Sequence, residues 1–454
     1  MTELVLRAVP ALTTSRRRPK PVASFDSEEA HRLRYRKKRH AELPHIVKFS
    51  GGRSSGMMLF LLLENGILDP ARGDVIVFNN TASEHPDTYR FVRDCEAASC
   101  RYGVPFFWIE FQTYEDVVRR QWSRRASYRL VNNQPWSLEN PDGFHWRGEV
   151  FEELLSWSCY VPNQFRRICT QKMKLETTRM FLMDWLAGKD GIARQGHYGK
   201  TSRIKADAMY ARHQRSNGSV PKHILTRKRD FVLNRPHYRP DQRFDDFSPV
   251  WQPFENQATK DSVFGGRARF AKRGGHMEYV AFVGLRGDEQ NRVKRVEDRN
   301  GGPGASGYEG EHVYMPLADL AISRSDVNAF WDQQEWDLAL PSEGSLSNCV
   351  YCFLKGAANL EYVHQRMEAE KHREIPGFGS LADTPCDVDW WDKMERQYGR
   401  DLEAEKRQIH GNPRNKLIGF FGTSTGFSYS VLREKAADGL AEYSESLLPC
   451  DCTE

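Results

Sequence analysis

Apolar residues along this chain fall into short blocks, and two spacings recur among them. HIVKFS (45–50), Asp74–Asn79 and Val104–Ile109 are runs of about six mostly apolar residues, the length and the β-branched or aromatic content of buried strands. Between them, MMLFLLLENG and HPDTYRFVRDCEAASCRYG carry apolar positions at helical spacing and stop at Gly66 and Gly103. Strand and helix alternating in this way predict an α/β fold, a doubly wound and mostly parallel sheet with helices on both faces. Further along, Gln171–Leu186 and Asp326–Gln334 predict helices and Glu278–Val283 a strand. The stretch from about 122 to 168, rich in Trp, Asn, Arg and Pro, shows little periodicity and predicts loops and short helices. GGPGAS (301–306) reads as a loop, and no internal repeat is present.

These rhythms divide the chain into a basic N-terminal arm (1–44), an α/β domain in two pieces (45–198 and 277–340), a basic, turn-rich insertion (199–276) and a helical C-terminal region with a mobile tail (341–454). Charge sharpens the division. The net charge is only +5, yet residues 1–45 carry +6 and residues 199–276 carry +10, which leaves −11 for the rest. Basic appendages on an acidic core predict a polyanionic partner such as nucleic acid. The insertion's Tyr210, Tyr238, Phe244, Phe247, Trp251 and Phe254 would either stack on bases or form a small local core. With 39% hydrophobic and 28% charged residues, the chain is too apolar for disorder and too polar for a membrane protein. No run reaches the roughly 18 apolar residues of a membrane span, and the N-terminus lacks a secretory pattern, so the expected location is the cytoplasm. Nine cysteines, an odd number, fit a reducing compartment.

The first strand runs into Ser50-Gly51-Gly52-Arg53-Ser54-Ser55-Gly56 and then a helix. Glycines there allow a tight turn, the serines supply hydroxyl donors, and a helix N-terminus offers free N–H groups to an anion. It matches neither the Walker loop nor G-x-G-x-x-G.

SGGRSSG resembles the pyrophosphatase loop, S-G-G-x-[DST]-S, of the adenine-nucleotide α-hydrolase superfamily, and four later segments are similar to its phosphoadenylyl-sulfate reductase-like branch. Asn79-Asn80-Thr81-Ala82-Ser83-Glu84-His85-Pro86 resembles N-T-G-x-E-H-P, and Arg167 to Lys174 (RICTQKMK) resembles R-x-C-T-x-x-[LM]-K. Gly284 to Glu289 with Arg292 resembles G-x-R-x-x-E-x-x-R, and Tyr314 to Asp319 resembles the P-L region. The resemblance covers neither the arm, the insertion nor the last 90 or so residues. It implies ATP, with Mg2+, as ligand: Ser50, Gly51, Gly52, Arg53, Ser54 and Ser55 on the β and γ phosphates, Thr81, Glu84 and His85 lining the same cleft, and Lys174, Arg286 and Arg292 neutralising the departing pyrophosphate. Ser54 stands where the family often has aspartate, which weakens a metal contact there, and Arg53 could compensate phosphate charge directly.

Cys349-Val350-Tyr351-Cys352 is a C-x-x-C, and Cys159 and Cys169 form a second pair. Together they make a possible four-thiolate site for [4Fe–4S] or zinc; buried thiols or a redox dithiol are the alternatives. Similar segments occur in the ATP pyrophosphatases of DNA phosphorothioation, and that resemblance favours [4Fe–4S]. Cys95 and Cys100, five apart on a helix, do not converge on one ion, and Cys386 receives no role. Cys450 and Cys452 lie in the tail; LPCDCTE lacks the glycine and histidine of the reductases' E-C-G-x-H segment.

The function so implied is an ATP pyrophosphatase, making AMP and pyrophosphate, that adenylates an acceptor oxygen of the DNA backbone for replacement by sulfur. A cysteine desulfurase would be the sulfur donor and other phosphorothioation proteins the partners. The alternatives are a reductase of adenylyl or phosphoadenylyl sulfate and a non-catalytic nucleic-acid-binding component.

Overall fold

A computed structural model of the chain describes residues 35–116, 121–137, 139–140, 142–158, 160–186, 269–270, 277–301, 310–403, 416–423 and 425–435. Residues 1–34 of the basic arm, all of the insertion but Arg269–Phe270, Cys159 and the tail with Cys450 and Cys452 lie outside the described residues.

Five parallel strands form the centre of an eight-stranded sheet: β1 (His45–Phe49), β2 (Val75–Asn80), β3 (Phe106–Asp116), β7 (Met277–Val283) and β8 (Glu311–Tyr314). An antiparallel strand β4 (Gln121–Pro135), with the two-residue β5 (Gly143–Phe144) beside it, extends one edge, and β6 (Arg269–Phe270) pairs antiparallel with β7 at the other. Alternate side chains point to opposite faces. Val47, Phe49, Ile76, Phe78, Val280 and Phe282 join one apolar cluster, while Ile46, Val75, Val77, Tyr279, Ala281 and Val283 join another.

Helices cover both clusters. The first is packed by α1 (Arg53–Glu64), α2 (Pro86–Ser99) and α3 (Glu149–Ser158); the second by α4 (Thr177–Leu186) and α5 (Gln290–Gly301). Every residue of α1 from Ser55 to Leu63 is buried, because α6 (Arg324–Asp332) lies across its outer side. Fully burying one of its leucines is worth about 2 kcal/mol. Trp331 of α6 packs so closely that a Cβ on Gly56 would lie 2.7 Å from its Cζ2. Beyond the sheet, α7 (Ala357–Glu370), α8 (Val388–Tyr398) and α9 (Tyr429–Glu434) form the helical C-terminal part.

Three expectations are corrected here. The aperiodic stretch after 122 contains the long strand β4; its Arg129 is buried beside Glu110, so a charged residue on an inward position obscured the alternation. The expected helix over Gln171–Leu186 instead begins as a π-helix over Cys169–Glu176 and becomes α-helical at Thr177. The folded body begins before Pro44: Tyr35 Oη and His45 Nε2 share a 2.6 Å hydrogen bond, and His40 Nδ1 and Tyr314 Oη one of 2.8 Å. Burial drives His45 down to about 3, with Arg72 adding to the effect, so its ring is a neutral hydrogen-bonding partner.

Candidate functional site

The sheet order reverses at β1, which has β2 on one side and β7 on the other, the position where open α/β sheets bind ligands beyond their carboxyl edge. The turn leaving β1 depends on Gly51, whose φ of +79° is left-handed. A Cβ there would also lie 2.9 Å from Thr88 Cγ2. Ser50 Oγ donates to Ser55 Oγ (3.0 Å), which donates to the Gly52 carbonyl (2.8 Å), closing the turn. Gly52 caps α1 without a side-chain hydrogen bond, leaving the first-turn N–H groups for another acceptor. Gly284, at the end of β7, lets that strand approach Ser55: a Cβ would lie 2.9 Å from the Ser55 Cα.

Ser50, Gly52, Arg53, Ser54 and Ser55 line a cleft of about 410 Å³ together with Arg286 and Arg292. Arg286 Nη1 donates to Ser54 Oγ (3.2 Å) and its Nε to Asp288 (2.8 Å), so a cation stands beside the fifth residue of the turn. Arg292 pairs with Glu289. Arg53 behaves differently from the expectation. Its guanidinium donates to both Asp337 oxygens (2.7–2.9 Å) and to the carbonyls of Leu338, Leu340 and Pro341, so it fastens the opposite wall of the cleft instead of presenting charge to a phosphate.

Thr81, Glu84, His85 and Lys174 also stand elsewhere than expected, since none is among the residues lining that cleft. Glu84 is buried and accepts from Thr81 Oγ1 (2.6 Å) and Tyr89 Oη (3.0 Å), and its backbone bridges to Cys349. His85 caps α2, its Nδ1 accepting from the Asp87 N–H at 3.1 Å. Between Thr81 and Glu84, Ala82 is left-handed (φ +57°), held there by the Asn80 side chain and by Gly148, whose N–H donates to the Ala82 carbonyl. This loop places the Thr81 and Ser83 hydroxyls each 3.5 Å from Cys349 Sγ.

A second cavity, about 20 Å³ and enclosed by Phe151, Phe353, Leu354 and Trp391, is lined by Cys169, Cys349 and Cys352 with Thr81, Thr170 and Lys174. The π-helix explains part of this grouping. Its wider turn places residues five apart on one face, so Cys169 and Lys174 point the same way, which an α-helix would prevent. Cys352 and Leu354 line both cavities and form the partition between them. Burial pushes the Cys169 thiol up to about 12, with Cys352 and Cys349 adding to it, and the Cys352 thiol up to about 11.

The cavity gathers three sulfurs, buried in Cys349 and Cys352 and half-buried in Cys169, with no carboxylate among its lining residues, which is the donor chemistry of a thiolate-held metal. A volume of about 20 Å³ suits one ion-sized occupant, and a four-iron cluster would require the sulfur-bearing segments to part. As they stand, no group of three or more His, Cys, Asp or Glu among the described residues is close enough to hold a metal ion, and Cys159 is outside the described residues. Cys95 is buried and Cys100 exposed, in keeping with separate roles.

The sequence reading missed Lys355 and Asn348, both of which line the nucleotide-sized cleft. A lone lysine after the apolar run Val350–Leu354 is a signal for a buried ammonium that could have been noticed. Burial lowers Lys355 to about 8, against the opposing pull of Cys352 and Cys349. The chain matches no family model, no curated protein and no solved structure.

Proposed function

We propose that this chain is an ATP pyrophosphatase of the adenine-nucleotide α-hydrolase type, which adenylates an oxygen of the DNA backbone so that sulfur can replace it. One observation carries the reading: the glycine-serine turn at the switch point of the sheet lines a cleft that shares the Cys352–Leu354 wall with a cavity holding three thiols. A nucleotide activation site and a sulfur site one residue apart suit a reaction that needs both.

In this reading the triphosphate lies against the uncapped N-terminus of α1 and the Ser50 and Ser54 hydroxyls. Arg286 and Arg292 stabilise the charge that grows on the β phosphate as the acceptor oxygen attacks the α phosphorus and pyrophosphate leaves. The acceptor phosphate is then linked through that oxygen to AMP; a persulfide attacks the acceptor phosphorus, AMP leaves with the oxygen, and a second thiol cleaves the S–S bond, forming a disulfide with the carrier and leaving the phosphorothioate. The sulfur comes from a partner cysteine desulfurase. Lys174 serves the thiols, holding a positive charge beside Cys169 and Cys352. Cys169, Cys349 and Cys352, with Cys159, would hold a [4Fe–4S] cluster, which when bound joins the two cysteine segments and supplies a site for sulfur or electrons. The small cavity favours a second reading of that centre, a single structural zinc ion.

The test is DNA-dependent release of pyrophosphate and AMP from ATP by anaerobically purified protein, alongside iron, sulfide and zinc analysis of wild type and Cys349→Ser. Sulfite released from a sulfonucleotide would instead support the reductase alternative. DNA binding without nucleotide turnover would support a non-catalytic component.

A further inference from the structure

The charged groups of the cleft are not alike. Arg53, Arg286 and Arg292 are each paired with a carboxylate, respectively Asp337, Asp288 and Glu289. Lys355 is buried, and its Nζ donates to two backbone carbonyls, Ser345 O (2.6 Å) and Val350 O (2.7 Å). No carboxylate among the described residues pairs with it. An ammonium has three donors, so two neutral carbonyls leave one donor and the whole charge uncompensated. Asn348 lines the same cleft, and its side chain makes no hydrogen bond among the described residues. Its φ of +56° is left-handed, a conformation that non-glycine residues keep chiefly where surrounding structure enforces it.

Position separates Lys355 from the thiols. Lys174 lines the sulfur cavity and not the cleft, while Lys355 lines the cleft and not the sulfur cavity, with Cys352 belonging to both. The two buried lysines therefore line different sides of one partition: the thiols of Cys352 and Cys349 act on Lys355 from behind it, and the cleft is the side from which a further anion can reach the ammonium.

We infer that Lys355 and Asn348 form a second oxyanion subsite of this cleft, beside Cys352 and apart from the serine-glycine turn, which holds the tetrahedral oxyanion of the acceptor. This rests on the reading of the cleft as a nucleotide site. With the triphosphate on the turn, an anion at Lys355 lies next to the partition behind which the thiols sit. An ammonium and a carboxamide N–H2 supply directed donors to such oxygens, and the phosphodiester of a nucleic acid and the sulfo group of a sulfonucleotide share this chemistry.

The experiment is a set of titrations of the full chain with three probes: α,β-methylene-ATP, the dinucleotide thymidylyl-thymidine and adenylyl sulfate. Wild type is compared with Lys355→Met, Lys355→Arg and Asn348→Ala. The expected result is little change for the ATP analogue, a loss of roughly tenfold or more for the dinucleotide in Lys355→Met, the scale of one charge-assisted hydrogen bond, and partial recovery in Lys355→Arg. The same loss confined to adenylyl sulfate would keep the subsite and make its source a sulfonucleotide. Unchanged affinity for both oxyanion probes in Lys355→Met overturns the inference. Should that variant fail to fold, Asn348→Ala, at a half-buried position, decides in its place: weakened oxyanion binding supports the subsite and undiminished binding overturns it. Failure of the wild type to bind the ATP analogue would remove the nucleotide reading itself, a result distinct from either.

Discussion

Arg53 is the residue on which the sequence pattern and the coordinates differ most usefully. Replacing it with Met removes a guanidinium that joins the phosphate-type turn to residues 337–341. The side chains of Arg53 and Asp337 are 13% and 31% exposed, so the ion pair is partly screened, and its share is about 1 kcal/mol. The three carbonyls on the same group add more, because each loses a charged donor. At roughly 1 kcal/mol apiece after allowing for water at the cleft edge, the total is about 3–4 kcal/mol. Arg53→Lys should recover only part of this, since a single ammonium cannot span Asp337 and three carbonyls at once.

Urea unfolding followed by tryptophan fluorescence gives the stability, and titration with an ATP analogue under native conditions gives the affinity. A strap predicts a clearly lower midpoint for Arg53→Met with an affinity within several-fold of wild type. A phosphate ligand predicts the reverse, an unchanged midpoint and roughly a hundredfold weaker nucleotide. That second pattern would show that the guanidinium leaves Asp337 when a triphosphate arrives, and the strap assignment would be wrong.

Gly51→Ala should destabilise the protein by about 2–4 kcal/mol, combining a left-handed backbone with overpacking against Thr88, as read by a lower melting temperature. Glu395, buried under the loop that brings Phe420 and Tyr429 to it, is raised by that burial to about 7. Because its ordinary value is 4.5, the unfolded chain releases this proton first, and stability should fall as pH rises from about 4.5 to 7 by up to roughly 3 kcal/mol. Glu395→Gln should flatten that part of the pH–stability curve, and an unaltered slope would place the titration elsewhere. For the buried pair Glu110 and His145, burial opposes both charges, but their mutual attraction and hydrogen bond win, lowering Glu110 and raising His145. Its contribution should therefore be lost in acid as pH falls through the lowered Glu110 value, and lost again as pH rises through the raised His145 value. His145→Ala, which leaves the carboxylate only Arg129, Asn80 and a backbone N–H, should cost about 2–3 kcal/mol near neutral pH by denaturant unfolding.

The strands and helices nearest the centre of the sheet were legible because their neighbours impose a single solution. β1, β2 and β7 are buried on both faces along most of their length, so their sequences are mostly apolar runs, interrupted only at positions such as Lys48 and Glu278. The turn after β1 was legible for the same reason, since only glycine satisfies both the φ and the approach of Thr88 at position 51. What stayed hidden depends on long-range partners. Arg129 faces inward because the buried Glu110 carboxylate on the neighbouring strand attracts it, and nothing in the run Gln121–Pro135 announces that partner. Arg53 sits within a loop that resembles a phosphate binder, but its partner is Asp337, far along the chain. The motif Asn79–Pro86 was legible as a unit and misplaced as a site. Its Thr81 and Ser83 hydroxyls turn toward Cys349, because the loop forms a backbone bridge to the cysteine segment instead of facing the glycine-serine turn.

That displacement changes how the two cavities relate. If Thr81, Glu84 and Lys174 lined the nucleotide cleft, the thiols would be a separate appendage, and their loss would leave nucleotide binding intact. Instead the segment Cys349–Lys355 is fastened from both sides: Ser83 accepts from the Val350 N–H at 3.1 Å, and Tyr429 Oη donates to the Tyr351 carbonyl from α9. Lys355 holds the carbonyls of Ser345 and Val350, and Ser345 follows directly on the cleft-lining residues 341–344, next to the segment that Arg53 holds. A change in the spacing of the sulfurs must therefore shift Cys352, and with it a wall of the cleft. If the cleft takes a nucleotide and the thiols a metal, as proposed, the two sites are joined through one short segment, and loading a metal on the thiols should alter ATP-analogue affinity even though the two share no ligand on the serine-glycine turn. Equal affinities before and after metal loading would mean that the partition is rigid and the two cavities act independently.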